Sequence, residues 1–209
     1  MSFDWRHFFK KKAEHHGYDA HTTKLGKVWH FIAHDESWFS FAVDIVLVLL
    51  IGQFIVIPAF GFAFGTHFPF VAVVSSSMDH SDLQFDEWWQ ENGGWYHDNN
   101  ITKLQFQSFY KYNGFERGDA FVVFGLNKNP AKIGDILIFT IPGRPDPIIH
   151  RVVAINADGT YQTKGDANPE QFAFEKSVTS EQIQGKAVAW APYLGWPKTL
   201  FEDLISKIR

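Results

Sequence analysis

From Ile45 to Phe64 the chain reads IVLVLLIGQFIVIPAFGFAF, an apolar run broken only by Gln53 and free of charge. About 20 such residues cross a hydrocarbon core, so the pattern predicts one transmembrane helix, bounded at 41–65. Pro58 removes a backbone donor and crowds the preceding turn, and is expected to kink the helix or end it early. A cleaved leader would need a short charged start and an apolar stretch of about 7–15 residues, which 40 residues followed by a full span do not provide. Beyond the span the apolar stretches become short and β-branched, at Val71 to Val74, Ala120 to Phe124, Ile136 to Ile141, Ile148 to Ile155 and Gly185 to Trp190, with a further strand at Tyr161 to Thr163. Gly and Pro punctuate them at Gly118, Gly134, Pro142-Gly143, Pro145, Pro147 and Gly159, as turns between antiparallel strands require. The expected fold is mainly β: an antiparallel catalytic domain at 66–197 behind one N-terminal helix.

Two segments depart from this pattern. The stretch 79–117 is acidic and carries ten aromatic residues, among them Trp88, Trp89, Trp95 and Tyr96. It reads as a lobe inserted into the β domain, resting on the membrane surface or shaping the substrate cleft beside Ser77, the alternative being a hydrophobic minidomain of its own. At the other end, 198–209 sets Leu200, Phe201, Leu204, Ile205 and Ile208 at helical spacing between charges, an amphipathic helix too short to be a second span.

Charge adds an orientation. Lys24 and Lys27 precede the span, and no Lys or Arg follows it until Lys103. The excess of cations marks the cytoplasmic side, so 1–40 is expected in the cytoplasm and the β domain outside a cell membrane crossed once. That first segment holds six of the ten histidines, His7, His15, His16, His21, His30 and His34, and the run Lys10 to Lys12. Their irregular spacing favours a basic interfacial segment at the inner leaflet over a metal site. A net charge of -4 with interspersed signs gives no electrostatic footprint for nucleic acid. With no cysteine, disulfides, thiolate metal sites and cysteine nucleophiles are excluded together. An aromatic content of 17% suits work at a membrane surface, where amphipathic rings collect, or an aromatic core.

Hydroxyl and carboxylate chemistry remains. Ser75-Ser76-Ser77-Met78 lies directly after the strand Val71 to Val74. A serine-rich strand end is commonly only a turn, and a hydroxyl attacks well at neutral pH only when a nearby base takes its proton. His150 is the candidate base, sharing a strand face with Ile148 and Val152 while Arg151 points the other way. A third group must orient that base, and Asp166 in Lys164-Gly165-Asp166 offers a carboxylate, although such turns also cap their own backbone.

The ordered set of these elements resembles the type I signal peptidases: an anchor, a strand into Ser-x-Ser-Met, Gly134-Asp135 before a strand, His150-Arg151-Val152-Val153, Lys164-Gly165-Asp166-x-Asn168, and Gly185-Lys186-Ala187-Val188 leading to Pro192-Tyr193-Leu194-Gly195. Because the bacterial branch carries Lys where His150 stands, the resemblance is to the archaeal and endoplasmic-reticulum branch. It implies Ser77 as nucleophile, His150 as general base, and Ser75 with the Ser77 N–H as oxyanion donors. It further implies a serine endopeptidase that removes signal peptides from secretory preproteins, cutting after small side chains as they emerge from the translocation channel, with the bilayer as its platform and no metal or organic cofactor. Two departures are evident. Met78 is followed by Asp79-His80-Ser81 rather than an acidic residue and Pro-Thr, and the family's second Asp after Lys-Gly-Asp is missing, with Glu170 and Glu175 as the nearby carboxylates. The acid of the site is therefore Asp166 or, as its alternative, Glu170. A different membrane-tethered serine hydrolase, or a catalytically inactive scaffold subunit of a processing complex, are the rival functions.

Overall fold

The computed structural model describes residues 23, 24, 26, 37–144 and 146–207. The N-terminal histidines and the run Lys10 to Lys12 lie outside the described residues. The chain divides into two compact units, one ending at Ile55 and one running from Val56 onward.

Residues Trp38–Phe64 form a helical run of 27 residues, long and apolar enough to cross a membrane. It begins as α1 (Trp38–Ile51), capped by Ser37, whose Oγ accepts from the Ser40 N–H. A π-helical segment, Gly52–Val56, follows, and α2 (Ile57–Phe64) completes the run. Pro58 does not end the helix. It stands at the start of α2, inside the helical run, where its missing N–H deprives the preceding turn of one bond, and the wider π turn just before it is the local adjustment that admits its ring. Gly65, at φ 67, then ends the helix in the left-handed conformation that glycine adopts without strain.

The second unit is built on one six-stranded sheet, every pairing antiparallel, in the order β1-β2-β6-β3-β4-β5. The strands are β1 (Phe70–Ala72), β2 (Ala120–Phe124), β3 (Ile136–Phe139), β4 (Ile148–Ile155), β5 (Tyr161–Lys164) and β6 (Ile183–Ala191). The mainly β expectation holds, with each strand where the apolar stretches put it. β1 is shorter than its apolar stretch, but pairing continues beyond it through Val73 N–H to Asp119 O (2.8 Å) and Gly118 N–H to Val73 O (2.9 Å).

Alternation decides the layers. Ile136 and Ile138 of β3 join Val71, Val73, Met78, Phe121 and Ile149 on one side, while Leu137 and Phe139 join Ile148, Val152 and Val178 on the other. With both faces of β3 covered, its run ILIF is buried throughout. The insertion folds as α3 (Phe85–Asp98) and α4 (Lys103–Gln107), started by a capping box in which the Gln84 N–H donates to Glu87 (3.2 Å). Its Phe85, Trp88, Tyr96, Ile101 and Phe106 pack together with Val153 of β4 into a third cluster. Trp88 is only 2% exposed, so this ring serves a core and not a membrane surface. The last helix among the described residues is α5 (Trp196–Ser206), whose Leu200, Phe201, Leu204 and Ile205 are exposed.

Candidate active site

Met78 explains how a short loop can hold a serine in place. Its side chain is buried, its carbonyl accepts from the Phe115 N–H (3.1 Å), and its sulfur lies 3.3 Å from the Asp166 N–H. The neighbouring Ser77 carbonyl accepts from the Ala167 N–H at 2.9 Å. The serine loop is therefore pinned to the turn that follows β5 by the Ser77 carbonyl and the Met78 sulfur. A residue with a side chain would not fit at Gly165 in that turn: a Cβ there would stand 2.8 Å from Ser77 O and 2.9 Å from His150 Nε2. The glycine of Lys-Gly-Asp is thus a requirement of close approach.

His150 sits on β4 opposite Leu137, on the face shared with Ile148 and Val152. Its Nε2 is 3.0 Å from Ser77 Oγ, and its Nδ1 is 2.5 Å from Glu175 Oε1. Both ring nitrogens are engaged. An Nδ1–H donating to the carboxylate leaves Nε2 free to accept the serine proton, which is the tautomer a general base needs. Glu175 ends a short 3₁₀ turn (Ala173–Glu175), is fully buried, and its second oxygen accepts from the Phe172 N–H at 2.8 Å. That bond fixes the carboxylate plane so that one oxygen faces the imidazole. Ser75 Oγ lies 3.2 Å from Ser77 Oγ, and both hydroxyls open onto a cleft of about 300 Å³ walled by Ile148, Phe172, Phe174 and Arg144.

The expected contact between Asp166 and His150 is not made. Asp166 is fully buried on the opposite side of β4, where Arg151 Nη2 donates at 2.6 Å and Nε at 2.9 Å, the Tyr96 hydroxyl at 2.9 Å and His80 Nε2 lies at 3.3 Å. The physical reason is strand alternation: Arg151 faces away from His150, and it draws the carboxylate to its own side. Burial alone would raise this carboxyl, but the Arg151 charge, with hydrogen bonds from His80 and Arg151, holds it well below the ordinary carboxylate range. Arg151 also donates to Tyr110 O (2.9 Å), Gly134 O (3.1 Å) and Lys111 O (3.0 Å), so it is matched in charge and in hydrogen bonds. Glu170 is exposed and takes no part in these contacts.

Sequence reasoning passed over Glu175 as the partner of the base. The only local signal was its place three residues after Phe172, the spacing that lets a Glu side chain reach back to a backbone N–H. The other two Gly-Asp pairs are structural. Asp119 binds Trp190 Nε1 (2.8 Å) and the Tyr193 N–H (3.2 Å), and Asp135 binds Lys186 Nζ (2.9 Å). Lys164 is buried with its ammonium 4.7 Å from the Tyr96 ring and 5.2 Å from that of Trp95, and it donates to Gly165 O at 3.1 Å. Burial pulls its pKa down to about 8 against the opposing influence of Asp166 and Glu175. Among the described residues no group of three or more His, Asp or Glu side chains is placed to hold a metal ion.

No protein-family model matches the chain. It is similar to curated proteins named signal peptidase complex catalytic subunit, the family its motifs resemble. The sec11 subunit of Schizosaccharomyces pombe is 31% identical over 136 residues, 61% of this chain and 64% of that protein. The SEC11C subunit of Homo sapiens is 29% identical over 98 residues, 43% of this chain and 51% of that protein, and the SEC11 subunit of Chaetomium globosum is 29% identical over 98 residues, 43% and 57%. The match spans from about half to just under two thirds of the length of these relatives.

Proposed function

We propose that this chain is a membrane-bound serine endopeptidase that removes signal peptides from exported preproteins. The observation that carries the reading is the hydrogen-bonded line Ser77, His150, Glu175, at 3.0 and 2.5 Å, opening on a cleft. Its likeness to catalytic subunits of signal peptidase complexes supports the substrate class.

Ser77 Oγ attacks the scissile carbonyl carbon while its proton passes to His150 Nε2. Glu175 holds the ring in the required tautomer and stabilises the imidazolium that forms. The developing oxyanion is met by the Ser75 hydroxyl and the Ser77 N–H, and one such donor contributes roughly 2.7–4 kcal/mol to the transition state. The leaving amine takes the proton from His150, and water then cleaves the acyl-enzyme with His150 again as base. Asp166, the acid expected from Lys-Gly-Asp, has no place in this proton path. The apolar wall of Ile148, Phe172 and Phe174 suits a small side chain before the scissile bond.

The helical run Trp38–Phe64 serves as anchor, with the N-terminal side cytoplasmic and the β domain on the extracytoplasmic side of the cell membrane, where preproteins leave the translocation channel. External protease on spheroplasts is expected to reach the domain after Thr66 and spare the first 40 residues, and protection of the domain would reverse the orientation. Detergent-solubilised protein incubated with a preprotein is expected to give one defined cleavage, and Ser77→Ala none. Equal cleavage by Ser77→Ala would end the serine mechanism, and no cleavage by either protein would favour the inactive scaffold.

A further inference from the structure

The inserted segment 79–117 has no place in the proton path, yet it grips the residues next to it. Tyr96 of α3 donates to Asp166 Oδ1 (2.9 Å), and His80 reaches Asp166 Oδ2 (3.3 Å) while its ring lies flat on Trp88 at 3.8 Å. Trp95 and Tyr96 face the Lys164 ammonium, which donates to Gly165 O at 3.1 Å. The carbonyls of Tyr110 and Lys111 hold Arg151, the residue after His150. The turn held in this way is the one that touches the site. Gly165 packs on Ser77 O and His150 Nε2, and Ala167 N–H binds Ser77 O at 2.9 Å. Asp166 lies between those two residues and joins them to the insertion.

We propose that Tyr96 and His80 are positioning residues for the proposed hydrolysis: through Asp166 they hold the Gly165 to Ala167 turn against Ser77 and His150. The proposal rests on the reading of Ser77 and His150 as a hydrolytic pair. A displacement of the nucleophile by an ångström costs up to about 100-fold in rate, so a hydroxyl remote from the scissile bond has leverage. The inserted lobe is in this sense a third wall of the site, acting on the geometry of attack and leaving the substrate cleft untouched.

The test compares three variants of the full chain in detergent. Tyr96→Phe keeps the ring and removes one hydroxyl, His80→Phe keeps a ring on Trp88 and removes the nitrogen, and Phe85→Leu loosens the same aromatic cluster without touching Asp166. We expect kcat to fall roughly tenfold in Tyr96→Phe and less in His80→Phe, whose contact is longer, with KM within about twofold, whereas Phe85→Leu lowers the melting temperature and leaves kcat unchanged. Equal kcat in Tyr96→Phe and Phe85→Leu would overturn the proposal, because loosening of the lobe alone would then explain the loss. Hydrogen exchange at the Ala167 amide supplies a readout that needs no activity: it is expected to quicken in Tyr96→Phe and not in Phe85→Leu, also in a Ser77→Ala background. Unchanged exchange overturns the positioning role. Absence of any preprotein cleavage by the parent chain strikes the hydrolytic reading instead, while the exchange result still decides whether the insertion holds the turn.

Discussion

Two histidine–carboxylate pairs lie on the two sides of β4, and the proposed function gives them opposite tasks. His150 with Glu175 and His80 with Asp166 are both buried, and each places an imidazole nitrogen on a carboxylate, at 2.5 and 3.3 Å. They differ in what surrounds the pair. The second nitrogen of His150 meets a serine hydroxyl at the edge of a cleft, whereas His80 Nδ1 has no hydrogen-bond partner among the described residues and its ring is stacked on Trp88. Glu175 takes a backbone N–H on its other oxygen, whereas Asp166 is matched by the Arg151 guanidinium. A carboxylate already paired with a cation has less negative potential to offer an imidazolium. A His–Asp or His–Glu contact is therefore not in itself evidence of a catalytic dyad; the neighbouring serine hydroxyl and the open cleft are what support that proposal for His150.

The comparison can be broken at its strongest point first. Glu175→Gln keeps shape and burial but presents the wrong hydrogen-bonding partner to His150, and kcat is expected to fall about 10³–10⁴-fold. Asp166→Asn is expected to act first on stability, because breaking one side of a buried pair leaves Arg151 unmatched, a cost of about 3–5 kcal/mol, and to lower kcat by only about tenfold through the turn it anchors, far less than Glu175→Gln. If Asp166→Asn were the dead enzyme and Glu175→Gln remained active, the two pairs would have been assigned the wrong way round.

Acid titration of the melting temperature sharpens the same contrast. The folded pKa of Asp166 is depressed, so its stabilisation is complete above the unfolded value of about 3.9 and is lost as pH falls through the folded one. The gap in melting temperature between the parent and Asp166→Asn should stay constant from neutrality to about pH 4 and shrink below it. The smallest effect is expected at Lys164. Its folded pKa of about 8 lies below the 10.5 of a free lysine, so the cost of burying its charge is present in full below about pH 8 and relieved as pH rises towards 10.5. Lys164→Met should therefore melt a few degrees higher at pH 7, with the advantage fading at alkaline pH.

Much of the architecture could be read directly from local pattern. The strands follow from short β-branched stretches between glycine and proline turns, and the long apolar helix from the length of one uncharged run, since these properties belong to consecutive residues. The face of His150 was legible for the same reason: with a period of 2, Ile148 and Val152 accompany it and Arg151 does not. Ser77 and His150 could be paired only through the order of the motifs, and the structure brings them to 3.0 Å.

The identity of the carboxylate was beyond that kind of reading. Asp166, Glu170 and Glu175 all lie in the stretch after β5, and nothing in their spacing tells which of them turns inward. Packing made the choice, because Arg151 emerges on the far face of β4 and a buried guanidinium must find a carboxylate, which leaves His150 to the acid of the next turn. The aromatic insertion posed the same difficulty. Its composition suits a membrane surface and a core equally, and only the closure of Trp88, Tyr96 and Phe106 over β4 turned those rings inward and set a tyrosine hydroxyl on Asp166. Sequence by itself determined which residues could do chemistry and on which strand face they stand, because periodicity is a property of the chain. Which of them meet was decided by tertiary structure, because burial forces charges to pair across distances that no local pattern encodes.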